Sequence, residues 1–231
     1  MNVLDADILG FLNQFAHHSR IFDGAVAAIA RHAIFKGWIM VALFWWIWFE
    51  PGPANTRHRE ILVATLVSAV ASVIAGRLLA DFLPFRLRPL NSPGLGFVLP
   101  YGAADVAESF RSWSSFPSDH AMVFFAMSAG LWYVSKAIGA ASTLYVAAVI
   151  ALPRVYMGYH YPTDIIGGAL FGILFTYLAN LPPVRARLAA PALKWQDVHP
   201  GSFYAAFCLF SLGLASLFDE VRQLAWSIIS R

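Results

Sequence analysis

Charge is scarce in this sequence of 231 residues. Asp, Glu, Lys and Arg together make up 13% of the chain, whereas ordinary soluble proteins hold about 25%. Apolar residues make up 59% of it, against roughly 45–50% in that class. A water-soluble globule of this composition would expose large apolar patches, because too few charges remain to cover it. The composition therefore excludes a soluble enzyme and predicts a single-domain integral membrane protein.

Cysteine is nearly absent as well, since Cys208 is the only one. A single cysteine excludes an intrachain disulfide and a thiolate metal cluster. The acidic residues do not cluster as ligands of a hard cation, and the sequence has no H-E-x-x-H pair, so we expect neither a metal nor a cofactor. The basic residues are scattered and form no stripe, which argues against a nucleic-acid partner despite the net charge of +3.

Six long stretches of the sequence carry no charged residue. A membrane-spanning helix needs about 20 mainly apolar residues, and several of these stretches approach that length. They predict an all-α, polytopic transmembrane helix bundle of about six spans. The stretches are Gly37–Phe49, Ile61–Gly76, His120–Val134, Ala137–Leu152, Ile165–Ala179 and Ser202–Phe218.

The basic residues of the short loops predict the orientation of the bundle, because cytoplasmic loops carry an excess of Lys and Arg. Three alternate loops hold most of them and should be cytoplasmic. The long Pro- and Gly-rich loop Pro84–Phe116 and the turn Arg154–Asp164 would then share the opposite face. The basic residues on the cytoplasmic side are Arg57, Arg59, Lys136, Arg185, Arg187 and Lys194.

Three segments on the predicted outer face concentrate ionisable side chains. They are Arg86–Pro89, Phe116–His120 and Arg154–Asp164. A charged group at membrane depth costs about 2.5–3.5 kcal/mol on insertion scales, so such groups need one another or a ligand. Cleavage of a phosphate ester requires a cationic clamp, a nucleophile and an acid for the leaving oxygen. The three segments contain a candidate for each of these parts.

The clamp has two kinds of candidate. Arg88 and Arg154 can hold phosphate oxygens with two parallel hydrogen bonds each, which lysine cannot do. Pro117, Ser118 and Asp119 lie at a predicted helix start, where unpaired backbone N–H groups and the helix dipole favour an anion. The hydroxyl of Ser118 could donate one more hydrogen bond.

The two histidines suit different tasks. Asp164 follows His160 by four residues, with Pro162 between them, as expected where a helix begins. The Asp164 carboxylate could accept the ring N–H of His160 and leave the other ring nitrogen free to attack phosphorus, giving a phosphohistidine. His120 could protonate the leaving oxygen and later activate water.

At these three segments the chain resembles the type 2 phosphatidic acid phosphatase superfamily over about residues 33–182. The signature of that superfamily is K-x6-R-P, then P-S-G-H, then S-R-x5-H-x3-D. The matching positions follow in the same order and spacing, and they are Arg88-Pro89, Pro117-Ser118-x-His120 and Arg154-x5-His160-x3-Asp164.

The resemblance implies a helix bundle with a metal-free site. By family analogy His160 is the nucleophile, Asp164 its partner and His120 the acid and base. The phosphate binders of the family correspond to Arg88, Ser118 and Arg154. We therefore divide the single domain 1–231 into an N-terminal amphipathic or interfacial segment (1–32), a catalytic helix core (33–182) and C-terminal helices (202–231).

The chain departs from the signature in three places. The family lysine falls at Asp81, an anion that cannot bind phosphate, and either Arg77 or Arg86 could replace it. The glycine of P-S-G-H is Asp119, and the serine before the third arginine is Pro153. The replacement of the lysine stays open at the level of sequence.

The form F-P-S-D-H-A is similar to bacterial undecaprenyl-diphosphate phosphatases. This likeness implies a lipid phosphatase of the bacterial inner (cytoplasmic) membrane, with its site facing the periplasm and a lipid diphosphate as substrate. Rival substrates are phosphatidate, phosphatidylglycerophosphate and lipid A 1-phosphate. A lipid phosphotransferase is a second enzymatic interpretation, and an anion-binding membrane protein or transporter is the non-enzymatic one.

Overall fold

The computed structural model describes residues 1–217, apart from the side chains of Asp105 and Ser109. In this part of the chain every regular element is a helix, which confirms the predicted all-α class. Residues 218–231 of the predicted C-terminal helices lie outside the described residues. The α-helices are α1 (Val3–Asn13), α2 (Arg20–Arg31), α3 (Ile39–Phe49), α4 (Asn55–Phe82), α5 (Asp119–Val134), α6 (Lys136–Tyr145), α7 (Leu152–Tyr156), α8 (Pro162–Ala179), α9 (Pro182–Val198) and α10 (Pro200–Ala215).

Shorter helical pieces complete the chain. A π-helical segment, Ile34–Trp38, leads into α3, and a second one, Val146–Ala151, joins α6 to α7. The loop between α4 and α5 holds three 3-10 turns, at Pro89–Asn91, Ala104–Val106 and Glu108–Phe110.

The apolar helices are those of a membrane protein. Within residues 1–217, three helical units are long and apolar enough to cross a bilayer, namely α4, the unit Lys136–Tyr156 and α8. A fourth is added if α2 and Ile34–Phe49, which are bent by 64° at a short break, count as one span. Two further apolar helices, α5 and α10, have 16 residues each. All six predicted stretches are helical over the described residues, except for a turn at Ser216 and Leu217 after α10. The number of six spans stays a prediction.

Helices α5 and α8 form the centre of the bundle, and small residues let them approach closely. A Cβ atom on Gly168 would lie 2.6 Å from the carbonyl oxygen of Ser118, and one on Gly172 would collide with the carbonyl of Met122. The glycines therefore allow backbone contact between the helices, as small residues do in membrane bundles. As a result, the N-terminal ends of the two helices lie side by side.

Local chemistry fixes where these two helices begin. The hydroxyl of Ser118 caps α5 by accepting the N–H of Ala121. Pro162 is the first residue of α8, where its missing N–H costs nothing. The carboxylate of Asp164 accepts the N–H of Tyr161 at 2.8 Å and so reaches back across the first turn. The predicted helix start after His160 is confirmed.

One element differs from its sequence-based description, and a second makes contacts that the sequence did not predict. Residues 182–198, expected only as a basic loop, form α9, which packs against α4. This helix is too polar to show an apolar run, so apolar length alone could not identify it. In the N-terminal segment, α1 packs on α7 and α8 and buries Asp5 and Leu9. The segment is therefore part of the wall around the candidate site.

Candidate active site

The structure brings the three chemistry-bearing segments together through backbone hydrogen bonds. The N–H of Ser118 donates to the carbonyl of Asp164 at 3.2 Å, which joins the starts of α5 and α8. The N–H of Ser115 donates to the carbonyl of Arg86 at 2.8 Å. The N–H of Leu90 donates to the carbonyl of Gly158 at 3.0 Å, so the long loop is also tied to the α7–α8 connection.

His160 is buried at the centre of this arrangement, and its two neighbours determine its tautomer. Nδ1 lies 2.8 Å from the carbonyl oxygen of Ser115, which can only accept a hydrogen bond. Nε2 lies 3.0 Å from NH1 of Arg88, which can only donate one. The hydrogen is therefore on Nδ1, and the lone pair of Nε2 points at the guanidinium group.

The surroundings of His160 keep its imidazole neutral. Burial and, next, the charge of Arg88 lower the pKa of His160 from 6.5 to about 3. Asp164 acts in the opposite direction, and Arg154 adds to the lowering. A neutral imidazole with a lone pair on Nε2 is the protonation state that a nucleophilic histidine requires.

Asp164 is fully buried and has several donors around its carboxylate. The hydroxyl of Ser115 and the N–H of Tyr161 donate to Oδ2, and NH1 of Arg86 lies 2.5 Å from Oδ1. Nδ1 of His160 lies 3.7 Å from Oδ2, beyond hydrogen-bond reach. The expected direct bond from imidazole to carboxylate is therefore replaced, because the Ser115 carbonyl lies nearer. Ser115 touches both groups and links them.

Arg88 is the cation that faces His160. Its NH1 also donates to the carbonyl of Tyr159 at 2.8 Å, and its guanidinium lies 4.3 Å from the centre of the Phe110 ring. Burial and then the charge of Arg77 lower the pKa of Arg88 from 12.5 to about 10, so it remains a cation at neutral pH. Its buried Nε has no hydrogen-bond partner within the described chain, and a ligand oxygen would supply one.

The structure separates the two candidates for the missing lysine. Arg86 is engaged at both terminal nitrogens, by Asp164 and Thr163 on one and by Asp5 on the other. Its predicted role as a phosphate binder is therefore disfavoured, because a phosphate would have to displace buried carboxylates. Arg77 is half-buried and acts electrostatically on Arg88.

Asp119 is the partner of Arg77. Nε of Arg77 lies 2.6 Å from the Asp119 carboxylate, and NH2 donates to the carbonyl of Pro117 at 3.2 Å. The side chain of Asp119, predicted among the phosphate-binding residues, therefore neutralises a cation. A contribution to an anion would have to come from its backbone N–H.

Arg154 and His120 complete the set of predicted residues. Arg154 is buried, and its NH1 donates to the carbonyl of Ile150 at 2.9 Å, while NH2 lies 3.4 Å from the carbonyl of Ala30. His120 is half-buried in the first turn of α5, with its ring centre 6.2 Å from that of Phe124. The catalytic and phosphate-binding roles of these two residues stay predictions.

Sequence reasoning missed three residues of the site, namely Ser115, Asp5 and Thr163. Thr163 donates its N–H and its hydroxyl to the carboxylate of Asp5 at 2.9 and 2.8 Å. Ser115 stands directly before Phe116 of the second segment, and Asp5 belongs to no motif. A buried acid in an apolar helix is the one signal that could have pointed to Asp5.

Among the described residues, no group of three or more His, Cys, Asp or Glu side chains lies close enough together to hold a metal ion. Independence of a metal stays a prediction.

Comparison with known proteins assigns the family. Lipid A 1-diphosphate synthase of Escherichia coli (strain K12) is 31% identical over 180 residues, which cover 74% of this chain and 72% of that protein. Undecaprenyl-diphosphatase BcrC of Bacillus subtilis (strain 168) is 23% identical over 175 residues, 76% of this chain and 82% of the relative. An undecaprenyl-diphosphatase of Sulfolobus acidocaldarius is 26% identical over 123 residues, 53% of this chain and 55% of the relative.

No solved structure gives a significant match to the chain. Residues 85–185 match the PAP2 superfamily, and this range contains the nucleophile candidate, its carboxylate and the arginine that faces it. The chain belongs to the PAP2 superfamily.

Proposed function

We propose that this membrane phosphatase of lipid phosphate esters removes the terminal phosphate of a polyprenyl diphosphate, such as undecaprenyl diphosphate, through a phosphohistidine on His160. The observation that carries the proposal is the neutral His160 with Nε2 directed at the buried Arg88. The names of the relatives from Bacillus and Sulfolobus support the substrate class.

The first step forms the covalent intermediate. The lone pair of Nε2 makes a bond to the terminal phosphorus, and the bond from phosphorus to the bridging oxygen breaks with its electron pair on that oxygen. The product that leaves is the polyprenyl monophosphate. Arg88 balances the negative charge on the equatorial oxygens, as cationic clamps do in phosphoryl transfer. His120, in its protonated form, donates a proton to the leaving oxygen.

The second step releases inorganic phosphate. Neutral His120 accepts a proton from water while the water oxygen bonds to phosphorus. The bond between phosphorus and Nε2 then breaks, and its electron pair returns to the ring. His160 is restored to the tautomer with hydrogen on Nδ1, which the Ser115 carbonyl holds in place throughout.

Arg77 takes the place of the family lysine in this proposal. It lies next to the cap of α5 and within electrostatic reach of Arg88, whereas Arg86 is enclosed by carboxylates. In a diphosphate, His160 attacks the terminal phosphate, and the second, lipid-linked phosphate also needs a cation. An arginine at the rim of the site can bind that second phosphate, once the anion displaces Asp119.

The site is proposed to face the periplasm, in the bacterial inner membrane. The 28 residues of α4 span about 42 Å, so its two ends lie at opposite faces of a bilayer. His160 lies near its C-terminal end, because Arg77 of α4 contacts the carbonyl of Ser114 and His160 contacts the carbonyl of the next residue, Ser115. At its N-terminal end Arg185 pairs with Glu60 at 3.3 Å, among the basic residues that predict the cytoplasmic side.

A second candidate function is phosphate transfer to another lipid. The relative of 31% identity is named a lipid A 1-diphosphate synthase, and such a product requires a phosphate to be added to a lipid. The same phosphohistidine would serve, with the hydroxyl or phosphate oxygen of an acceptor lipid in place of water.

Phosphate release by the purified protein tests both candidates. We expect release from undecaprenyl diphosphate in detergent with EDTA present, and none from the His160→Ala variant. The exposed His199 gives a matched control, His199→Ala, which should keep full activity. Loss of activity with EDTA would overturn the metal-free mechanism. Faster phosphate release from phosphatidate than from undecaprenyl diphosphate would show that the diphosphate is not the preferred substrate. Transfer of phosphate to added lipid A, without release of inorganic phosphate, would establish the second function.

A further inference from the structure

We propose that Asp5 is a positioning residue of the active site: it shares Arg86 with Asp164, and so leaves a net negative charge on the cluster of these three residues, which lies beside His160. The inference rests on the proposed function, because a phosphohistidine intermediate is what places a positive charge on the imidazole. Asp5 lies in α1, outside residues 85–185 that match the superfamily.

Asp5 is held as firmly as the residues of the site itself. Its carboxylate is fully buried. NH2 of Arg86 lies 2.6 Å from Oδ2, and the N–H and hydroxyl of Thr163 donate to the two carboxylate oxygens at 2.9 and 2.8 Å. Thr163 precedes Asp164 in the first turn of α8. Asp5 thus fixes both the arginine that binds Asp164 and the helical turn that carries it.

The charges of this cluster lead to the functional inference. Arg86 bridges two carboxylates at 2.5 and 2.6 Å, so one positive and two negative charges sum to −1. Without Asp5, Arg86 and Asp164 would sum to zero. In a buried site the interaction of such a charge with a neighbour is weakly screened.

The negative charge is needed at one stage of the reaction. His160 is neutral at rest, and after attack its ring holds phosphorus on Nε2 and hydrogen on Nδ1, which makes it a cation. Asp164 lies 3.7 Å from Nδ1 and stabilises that cation. Because Asp5 competes for Arg86, more of the negative charge of Asp164 remains to act on the ring. Asp5 should therefore lower the barrier to the covalent step and change substrate binding little.

A second buried acid of the N-terminal segment offers a built-in comparison. Asp23 is fully buried in α2 and accepts hydrogen bonds from the hydroxyl of Tyr156 and, at 3.1 Å each, from the N–H groups of His17 and Tyr101. These donors are neutral groups of α7 and the loops. Asp23 therefore anchors the N-terminal segment without an arginine link to Asp164. A substitution of Asp23 tests the loss of anchoring alone, whereas a substitution of Asp5 also changes the charge beside Asp164.

The test uses the full-length protein in detergent with undecaprenyl diphosphate labelled in its terminal phosphate. Asp5→Asn keeps the size of the side chain and removes its charge. Competent sites are counted by titration with vanadate, a phosphate analogue, so that turnover is expressed per folded site. We expect kcat per site to fall about 10- to 100-fold with KM unchanged. Asp7→Asn, on an exposed position of the same helix, should have no effect.

Asp23→Asn provides the decisive control. It should lower thermal stability or the number of competent sites, and leave kcat per site as in the wild type. Equal kcat per site in Asp5→Asn and the wild type would overturn the inference, and so would an equal loss in Asp23→Asn, which would show general anchoring.

Alkaline quenching of the wild type during turnover should trap a phosphohistidine. This experiment tests the proposed covalent intermediate separately from the role of Asp5. Turnover without a trapped intermediate would overturn both proposals, because no cation would form on the ring. A trapped intermediate together with an unaffected Asp5→Asn would overturn the role of Asp5 alone.

Discussion

The candidate active site has two parts, which differ in how deeply they are buried. We call the part around His160 the nucleophile half and the part around Arg77 and Asp119 the entrance half. The nucleophile half is buried, and His160, Asp164 and Asp5 lie in one continuous set of hydrogen bonds and ion pairs. The entrance half contains the ion pair of Arg77 and Asp119, whose side chains are 21% and 15% exposed. An ion pair near solvent is weaker than a buried one of the same length, because water screens it.

The difference follows from what each half has to do. A nucleophile reacts fastest when its tautomer, direction and charged neighbours are fixed before the substrate arrives. In the proposed reaction, the entrance half admits a charged lipid headgroup, and Arg77 exchanges Asp119 for a phosphate of that headgroup. Substitutions in the nucleophile half should therefore lower kcat for every substrate. Substitutions in the entrance half should affect substrates differently.

The largest expected effect is that of Arg88→Lys. A lysine keeps the charge but cannot offer the fixed pair of N–H groups that faces both Nε2 and a phosphate oxygen. We expect kcat to fall about 100- to 1,000-fold on undecaprenyl diphosphate and on phosphatidate alike. Steady-state kinetics on both lipids provide the measurement.

Arg111 supplies the control for this substitution. It pairs with Glu108 on the exposed part of the loop, so Arg111→Lys should retain wild-type rates. If Arg88→Lys lowered kcat on only one of the two lipids, Arg88 would act in substrate selection. The proposed difference between the two halves would then be wrong.

A smaller and substrate-dependent effect is expected from His120→Ala. A diphosphate expels a phosphate, which needs little help from an acid, whereas a phosphate monoester expels an alkoxide. Rates should therefore fall about 100-fold on phosphatidate and about tenfold or less on undecaprenyl diphosphate. Equal losses on the two lipids, measured by phosphate release, would contradict the assignment of His120 as the acid.

The smallest expected effect concerns pH. Because burial and Arg88 lower the pKa of His160 to about 3, its imidazole should stay neutral, with hydrogen on Nδ1, down to about pH 4. The folded state then binds fewer protons than the unfolded state, so the free energy of unfolding falls as pH decreases from about 6.5 towards 3.

Nitrogen NMR of the His160 ring between pH 4 and pH 8 should reveal no titration. A transition near pH 6.5, the value of an unperturbed histidine, would mean that the nucleophile half is open to water. In that case the two halves would not differ as described.

The parts of the site that could be predicted are those with short, fixed spacings. One short segment, from the end of α7 to the first turn of α8, contains Arg154, His160 and Asp164. The short chain between them already keeps these residues near one another. The caps of α5 and α8 also follow from local residues, Ser118 and Pro162. The spacing could not reveal that Ser115 stands between His160 and Asp164, because a loop residue carries no periodic signal.

The sequence by itself determined the class of the protein and supplied the candidates for its reactive groups. Apolar composition requires a membrane bundle, and ionisable residues in such a chain are retained only where they meet a partner or a ligand. These conclusions depend on local composition and order, which do not require the positions of distant residues.

Tertiary structure alone decided how the charges are paired. Arg86 and Arg77 are equally good candidates in the sequence, and only packing places Asp5, 158 residues before Thr163, beside the first of them. Ion pairs depend on distances of a few ångströms between elements that are far apart in the chain. Those distances are set when α1, α5 and α8 bury their surfaces against one another, and no local pattern encodes them.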